Sequence, residues 1–392
     1  MSATLTRSPT RNAEQPPPRE AREAPAAAVE AESPLARLTA EQLEALGREL
    51  DALHEQVRAE LGERDARYIR NVIKAHRYLV IAARVILLGA RRRRPWLAGT
   101  AALSLAKILE NMEIGHNVLH GQWDWMNDPD INSQTWDWDT ASPADAWRHS
   151  HNYEHHTFTN IRGKDRDLGY EIMRIDPHQR WHPIYVLQPL YNLVLMAFFE
   201  WGVAVHDLNA EAVRTGEKPK RQVLEELKAI GVKARRQIVK DYVAFPALSG
   251  RGGYRATLAA NFTANVVRNV WAHSIIFCGH FPDQTYTFSE GEVADETRGG
   301  WYVRQLLGAA NIDGGPLFHL LTGNLSFQVE HHLFPDLPSS RYAEIAPRVR
   351  ELCRRYALPY NTGPLRKQLG TVHRTILRLA FPGGRPRPKP GP

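Results

Sequence analysis

The sequence predicts an all-α fold: an integral membrane helical bundle of about four transmembrane helices, with a helical cytosolic cap carrying a histidine-rich metal site. Three observations lead there. Long apolar stretches recur through the middle of the chain; histidines gather in three short groups at helical spacing; and the overall hydropathy is low, which implies a large aqueous cap on a small bundle.

The elements follow in order. Residues 1–35, rich in Pro, Ala, Glu and Arg, cannot bury a core and read as a disordered tail. Residues 36–62 place Leu at helical spacing among charges, opened near Thr39 and Glu41, so they read as an amphipathic helix with His54 on its polar face. Apolar character then rises over 78–90 and 95–109, split by Arg91 to Arg94, and each piece falls short of the roughly 20 apolar residues a span needs. The stretches 183–205 and 256–279 are long enough to cross. The second carries Arg268, Asn269 and His273, groups that are costly in lipid and belong against a protein interior or a site. Four crossings put all three histidine groups on the side of the N-terminus. The basic loop 206–255 resists that scheme, because it would face outward against the positive-inside rule. Either the neighbouring segments dip without crossing, or the basic helix near 219–240 folds back along the interface. The bundle and its cap form one unit over 36–380, and 381–392 is a second disordered, basic tail.

The formal charge of +7 does not point to nucleic acid, since no nucleic-acid motif accompanies it; basic loops beside a bilayer account for it. Cys278 and Cys353 alone make no disulfide framework, and the N-terminus lacks the pattern of a secretory signal. Insertion must come from internal segments.

The chemistry lies in HNVLH (His116, His120), HNYEHH (His151, His155, His156) and QVEHH (Gln328, His331, His332). Residues three or four apart on a helix share a face, so each group can aim its rings at one point. Neutral imidazole suits zinc, copper, iron and nickel, and a four-coordinate ion would saturate with half of this set. Two metal ions are the simpler account.

Taken in this order between apolar spans, together with HGQWDWMNDPD, WRHSHNYEHH, RNVWAHSIIFCGHFPD and GNLSFQVEHHLFPDLPS, the boxes resemble those of the integral-membrane fatty-acyl desaturase family over residues 65–365. Within it the likeness runs to the actinobacterial NADPH-dependent stearoyl-CoA (acyl-CoA delta-9) desaturases. The resemblance implies two iron ions, O2 as co-substrate, and introduction of a cis double bond into a saturated long-chain acyl-CoA. It implies as metal ligands His116, His120, His151, His155, His156, His331 and His332, with a further ligand from the fourth span. His280, at its aqueous end, is favoured for that place, and His273, seven residues earlier, is a closer-in ligand or water-holder. Gln328 stands where many relatives have His, and either binds through water or positions His331. The resemblance also implies a bacterial inner membrane location, with the site and termini facing the cytoplasm.

Other residues have two readings each. Trp123, Trp125 and Trp147, with Trp136 and Trp138, form either an interfacial belt or the wall of an acyl channel. Arg148, Arg162 and Lys164, with Arg166, either receive the phosphates of CoA or are solvated loop charges. His149 and His319 are not expected among the ligands. No heme signature, Gly-rich dinucleotide loop or CxxC motif is visible, so electrons are expected from a separate partner, an NADPH-dependent oxidoreductase or ferredoxin-type donor. The alternatives are a histidine-box hydroxylase or ketolase acting on alkanes, carotenoids or other lipids and, more remotely, a membrane metal transporter or zinc hydrolase.

Overall fold

The structure, a computed structural model, describes residues 34–383. The two expected tails therefore lie almost wholly outside the described residues, although Leu35 already packs against the core.

Two helical hairpins carry the site. In the first, α1 (Ala40–Ala59) leads into α2 (Glu63–Leu87), which reverses into α3 (Arg93–Leu109). Helix α3 runs on through a π-helical turn, Glu110–His116. After α4 (Gln188–Ala197) and α5 (Phe199–His206), the second hairpin begins with α6 (Lys220–Ile238). That helix continues through the π-helical Val239–Ala244 and Phe245–Leu248, then turns at Gly250 into α7 (Gly250–His280). Gly250 sits at φ 69°, a left-handed conformation that glycine adopts without steric cost. Across this hairpin Tyr254 donates its hydroxyl to the Tyr242 carbonyl at 3.1 Å.

The hairpins meet along α3 and α7 through small residues, with Ala83, Leu87, Ala90, Leu103, Ala260 and Ala264 buried together. Small side chains at this seam let the helix axes approach closely. Trp96 Nε1 donates to the Ala256 carbonyl at 3.0 Å, and a Cβ at Gly252 would stand 2.9 Å from the Arg91 guanidinium. Both reversals therefore lie at one end of the bundle, opposite the histidines.

Two expectations change here. The stretch 183–205 is not one helix. It breaks at Phe198, and the runs Pro183–Ala197 and Phe199–Thr215 bend by 102°. The break has a physical cause in α7: Asn269 donates to the freed Ala197 carbonyl at 3.0 Å, and Arg268 forms a buried pair with Glu200. Among the described residues no single helix is long and apolar enough to cross a membrane, and only this bent pair passes by length and composition. The segment that packs antiparallel on α7 is instead Val239–Leu248, the end of the basic 220–248 run, whose start lies beside His149.

The cap closes over the histidine end. Thr39 caps α1 with a reciprocal Gln42 bond, and α1 packs on α8 (Arg298–Gly308). The approach is so close that a Cβ on Gly299 would lie 1.9 Å from the Leu43 carbonyl oxygen. Helices α9 (Gln328–Leu333), α10 (Tyr342–Arg355) and α11 (Leu365–Leu379) complete it. A short parallel pair not foreseen from sequence, β1 (Asn311–Asp313) on β2 (Thr362–Pro364), ties α11 to the third box, where the Val329 N–H donates to Asn311 Oδ1 at 2.8 Å.

Candidate metal centre

Each box sits where the helix is locally distorted or short. The first follows the π-helical turn at Glu110–His116, the second lies in the π-helical Arg148–His155, and the third is α9. π-Helical turns widen the spacing of side chains and recur at functional sites. Here they bring His116, His120, His151 and His331 into one group and His155, His280 and His332 into another, each with ligand atoms within 4.8 Å of one another. Metal–nitrogen bonds of about 2.0–2.1 Å place ligand nitrogens roughly 3–4 Å apart, so small ring movements close either group on a cation. His156 lies between them, its ring centroid 4.8 Å from that of His120 and 4.4 Å from that of His332, with neither ring nitrogen hydrogen-bonded.

The tautomers test the fit to metal. An acceptor on Nδ1 fixes the proton there and leaves the Nε2 lone pair free. His155 Nδ1 faces both oxygens of Asp165 at 3.1 Å, and His151 Nδ1 faces Asp167 at 3.3 Å. His332 Nδ1 donates to Gln305 Oε1 at 2.9 Å, and His331 Nδ1 to the Tyr342 hydroxyl at 3.2 Å. The Nε2 atoms of His120, His151, His155 and His156 are buried without a partner, and those of His280 and His332 face each other at 3.2 Å. Buried nitrogens with free lone pairs aimed at one another suit bound cations and little else.

Electrostatics agree. Burial, reinforced by neighbouring imidazoles, pushes His156, His331 and His332 well below the ordinary histidine value. Burial also works against the charged form of His155, but Asp165 and Asp167 outweigh it and hold that ring above its ordinary value. Asp167 accepts from His206 Nε2 as well, at 2.9 Å.

The remaining sequence candidates sort by position. Gln328 stands against His280, its amide nitrogen 3.0 Å from Nε2, and a Cβ on Gly279 would lie 2.8 Å from its side chain. His273 falls outside both groups; its ring stacks on Phe277 and bonds Asn192 at 3.0 Å. His149 is 69% exposed, and His319 bonds Ser326. Trp147 stacks on His151 and lines a narrow cavity of about 60 Å³ beside His116, whereas Trp123 and Trp125 belong to a separate cluster with Ile69 and Ile114. Arg148, Arg162 and Lys164 all have acidic partners: Asp145, Asp176 and Glu290. Of the carboxylates near the boxes, Asp165 serves a ring, while Glu113 binds Tyr68, Asn324 and Ser339. Sequence reasoning did not single out Asp167, Gln305 or Tyr342. The acidic pair Asp165 and Asp167, following box two, was the one visible signal.

The sequence pattern of the fatty acid desaturases matches residues 94–364, more than half of the chain. The chain belongs to the fatty acid desaturase family. It is an oxidoreductase, which sets aside the transporter and hydrolase readings. The chain is 49% identical over 350 residues to an NADPH-dependent stearoyl-CoA 9-desaturase of Mycobacterium tuberculosis, covering 88% of this chain and 82% of the relative. It is 27% identical over 282 residues to an sn-1 linoleoyl-lipid 6-desaturase of Synechocystis, covering 68% and 76%. It is 25% identical over 247 residues to an acyl-lipid (7-3)-desaturase of Rebecca salina, covering 62% and 54%. This desaturase thus joins relatives whose names include both acyl-CoA and acyl-lipid substrates.

Proposed function

We propose that this desaturase introduces a cis double bond at the delta-9 position of a saturated long-chain acyl-CoA. The reading is carried by the two facing groups of buried imidazoles beside the Trp147 cavity, and supported by the identity to the stearoyl-CoA 9-desaturase. Two iron ions, one per group, would supply activation of O2 and removal of hydrogen from the chain. His116, His120, His151 and His331 would hold one ion; His155, His280 and His332 the other, with His156 between them and Gln328 beside His280.

In the balanced reaction the acyl chain gives up two hydrogens, a donor supplies two electrons and solvent two protons, and O2 leaves as two waters. The residues have separable parts in it. Asp165, Asp167, Gln305 and Tyr342 orient the rings, and the carboxylates offset the charge of an all-imidazole cluster. Trp147, packed on His151 and edge-on to His116, fixes the wall nearest the rings, and position alone decides which carbon reacts. The narrow cavity keeps bulk water from the rings.

The electron donor is a separate NADPH-linked reductase, since no flavin or iron–sulfur motif is visible in the chain. Membrane embedding, with the histidine end toward the cytoplasm, is supported by the exposed apolar side chains of both hairpins and the bent pair. Tyr78, Ile81, Val85, Leu97, Leu190, Val243 and Phe262 are among them.

Lipid analysis of membranes expressing the chain with a reductase tests the reading. A double bond at carbon 9 without incorporated oxygen is expected. An oxygenated chain would sink it, and full turnover by the purified chain with NADPH alone would sink the separate donor.

A further inference from the structure

A second cavity, a cleft of about 470 Å³, opens between α2, the 136–140 loop and the second hairpin. Six cationic side chains line it, Arg77, Arg84, Lys107, Lys233, Arg236 and Lys240, against three carboxylates, Glu110, Asp137 and Asp139. Beneath it Asp241 is fully buried and already engaged by Arg84 and Lys107 at 2.8 Å each. Asp137 is shared between Lys233 and Arg236, and Asp139 between Lys107 and Lys240. Arg77 has no ion pair among the described residues. Even with Asp241 counted, six cationic side chains stand against four carboxylates at the cleft.

Two further observations point the cleft at the reaction. Trp138 and Thr140 line both this cleft and the cavity that holds His116, His151 and Trp147, so the two spaces share a wall. Lys233, at the mouth, also donates to the Trp138 carbonyl at 2.6 Å. Lys240, which lines the cleft, belongs to the third π-helical turn, Val239–Ala244, which turns Asp241 inward to Lys107 and Lys240 to Asp139. The other two π-helical turns carry histidine boxes. Arg148, Arg162 and Lys164 each have an acidic partner and do not line this cleft.

We propose that this cleft binds phosphate esters, and that it holds the phosphate-bearing head group of the acyl donor while the acyl chain passes Trp138 toward the histidines. The assignment rests on the desaturase reading above and names where the head group sits. Guanidinium groups receive phosphate oxygens bidentately and Lys as a point charge. Arg77, exposed and without an ion pair among the described residues, and Arg236, exposed and sharing Asp137 with Lys233, face the cleft from α2 and α6.

The test uses the full chain with its reductase, comparing Arg77→Gln, Arg236→Gln and the double variant with Lys228→Gln, which removes a charge from an exposed position of α6 outside the cleft. Turnover of stearoyl-CoA and of a stearoyl phospholipid is measured, with equilibrium binding of stearoyl-CoA to the same proteins as a second readout. Each single cleft variant should raise KM for the acyl donor and weaken its binding by about tenfold, the size of one charge-assisted hydrogen bond, with kcat and bond position unchanged. Lys228→Gln should do neither. Unchanged binding and KM in the double variant would overturn the proposal. Unchanged acyl-donor binding with loss of binding to anionic phosphatidylglycerol vesicles would also overturn it, making the cleft a bilayer contact. If the wild type turns over only the phospholipid, and the cleft variants raise its KM, the acyl-CoA reading fails and the head-group site stands.

Discussion

Replacing Asp165 by Asn tests whether the residues behind the rings set the metal site. The carboxylate accepts from His155 Nδ1 with both oxygens at 3.1 Å, from the Asn160 N–H at 2.7 Å and from the Asp167 N–H at 3.0 Å. Every partner is a donor. An Asn amide must therefore turn its NH2 toward at least one of them, whichever way it is placed. If the NH2 meets Nδ1, the imidazole proton moves to Nε2 and that nitrogen can no longer bind a cation. If it meets a backbone N–H, a buried donor loses its acceptor, at a cost of about 1–3 kcal/mol. Loss of a carboxylate behind a metal-bound His costs about 10–100-fold in metal affinity, or roughly 1.4–2.7 kcal/mol. Asp165→Asn should thus release iron from the group of His155, His280 and His332 about 10–100-fold more readily, measured by competition with a chelator, and lose activity in proportion. The group built on His116 should hold its ion. Unchanged iron retention would refute the argument that Nδ1 acceptors fix these tautomers.

Three further outcomes follow from the geometry. His280→Ala should lose about half the bound iron while His273→Ala keeps it, by metal analysis of purified protein; equal loss would return His273 to the site. His156, His331 and His332 are held well below their ordinary value, so the metal-free folded chain binds fewer protons than the unfolded chain once pH falls below about 6.5. Its stability is therefore present above that pH and lost as pH falls toward the folded values, partly offset by His155, which shifts the other way. Chelator-treated protein should show a Tm that drops steeply below pH ~6.5, and a flat profile would contradict the burial argument. Gly299→Ala should destabilise the cap by at least the about 1–3 kcal/mol of ordinary overpacking, because its Cβ would meet the Leu43 carbonyl of α1. An unchanged melting temperature would show that α1 can move aside.

The three boxes were legible because imidazoles at helical spacing are rare and mutually reinforcing. The helix that pairs with α7 was not. Hydropathy rejects the 220–248 run for its Lys233, Arg236, Lys240 and Asp241, and favours 183–205, which the structure breaks at Phe198. A hydropathy sum counts each charge as if alone. Yet Asp241 is engaged by Arg84 from α2 and Lys107 from α3, and Lys240 by Asp139. Partners this distant in sequence change the cost of burial without leaving a local trace. Conversely, 183–205 reads as continuous because its own residues are apolar; the residues that bend it, Arg268 and Asn269, belong to α7.

Distant partners matter inside the site as well. A box motif fixes which rings can meet but leaves each imidazole two tautomers, and only one of them presents Nε2 to a cation. The choice is made from outside the motifs: Asp165 and Asp167 from the segment after box two, Gln305 from α8, and Tyr342 from the start of α10. Tyr342 makes the dependence clearest. Its hydroxyl donates to the Phe334 carbonyl at 3.2 Å and accepts from Gln122 at 3.0 Å, so it faces His331 with a lone pair and Nδ1 must carry the proton. Gln122 lies two residues beyond His120, and Phe334 two beyond His332, so the tyrosine ties boxes one and three through their trailing residues. Tyr342→Phe would remove that acceptor while keeping the ring in the core, which separates the hydrogen bond's contribution to metal retention from that of packing.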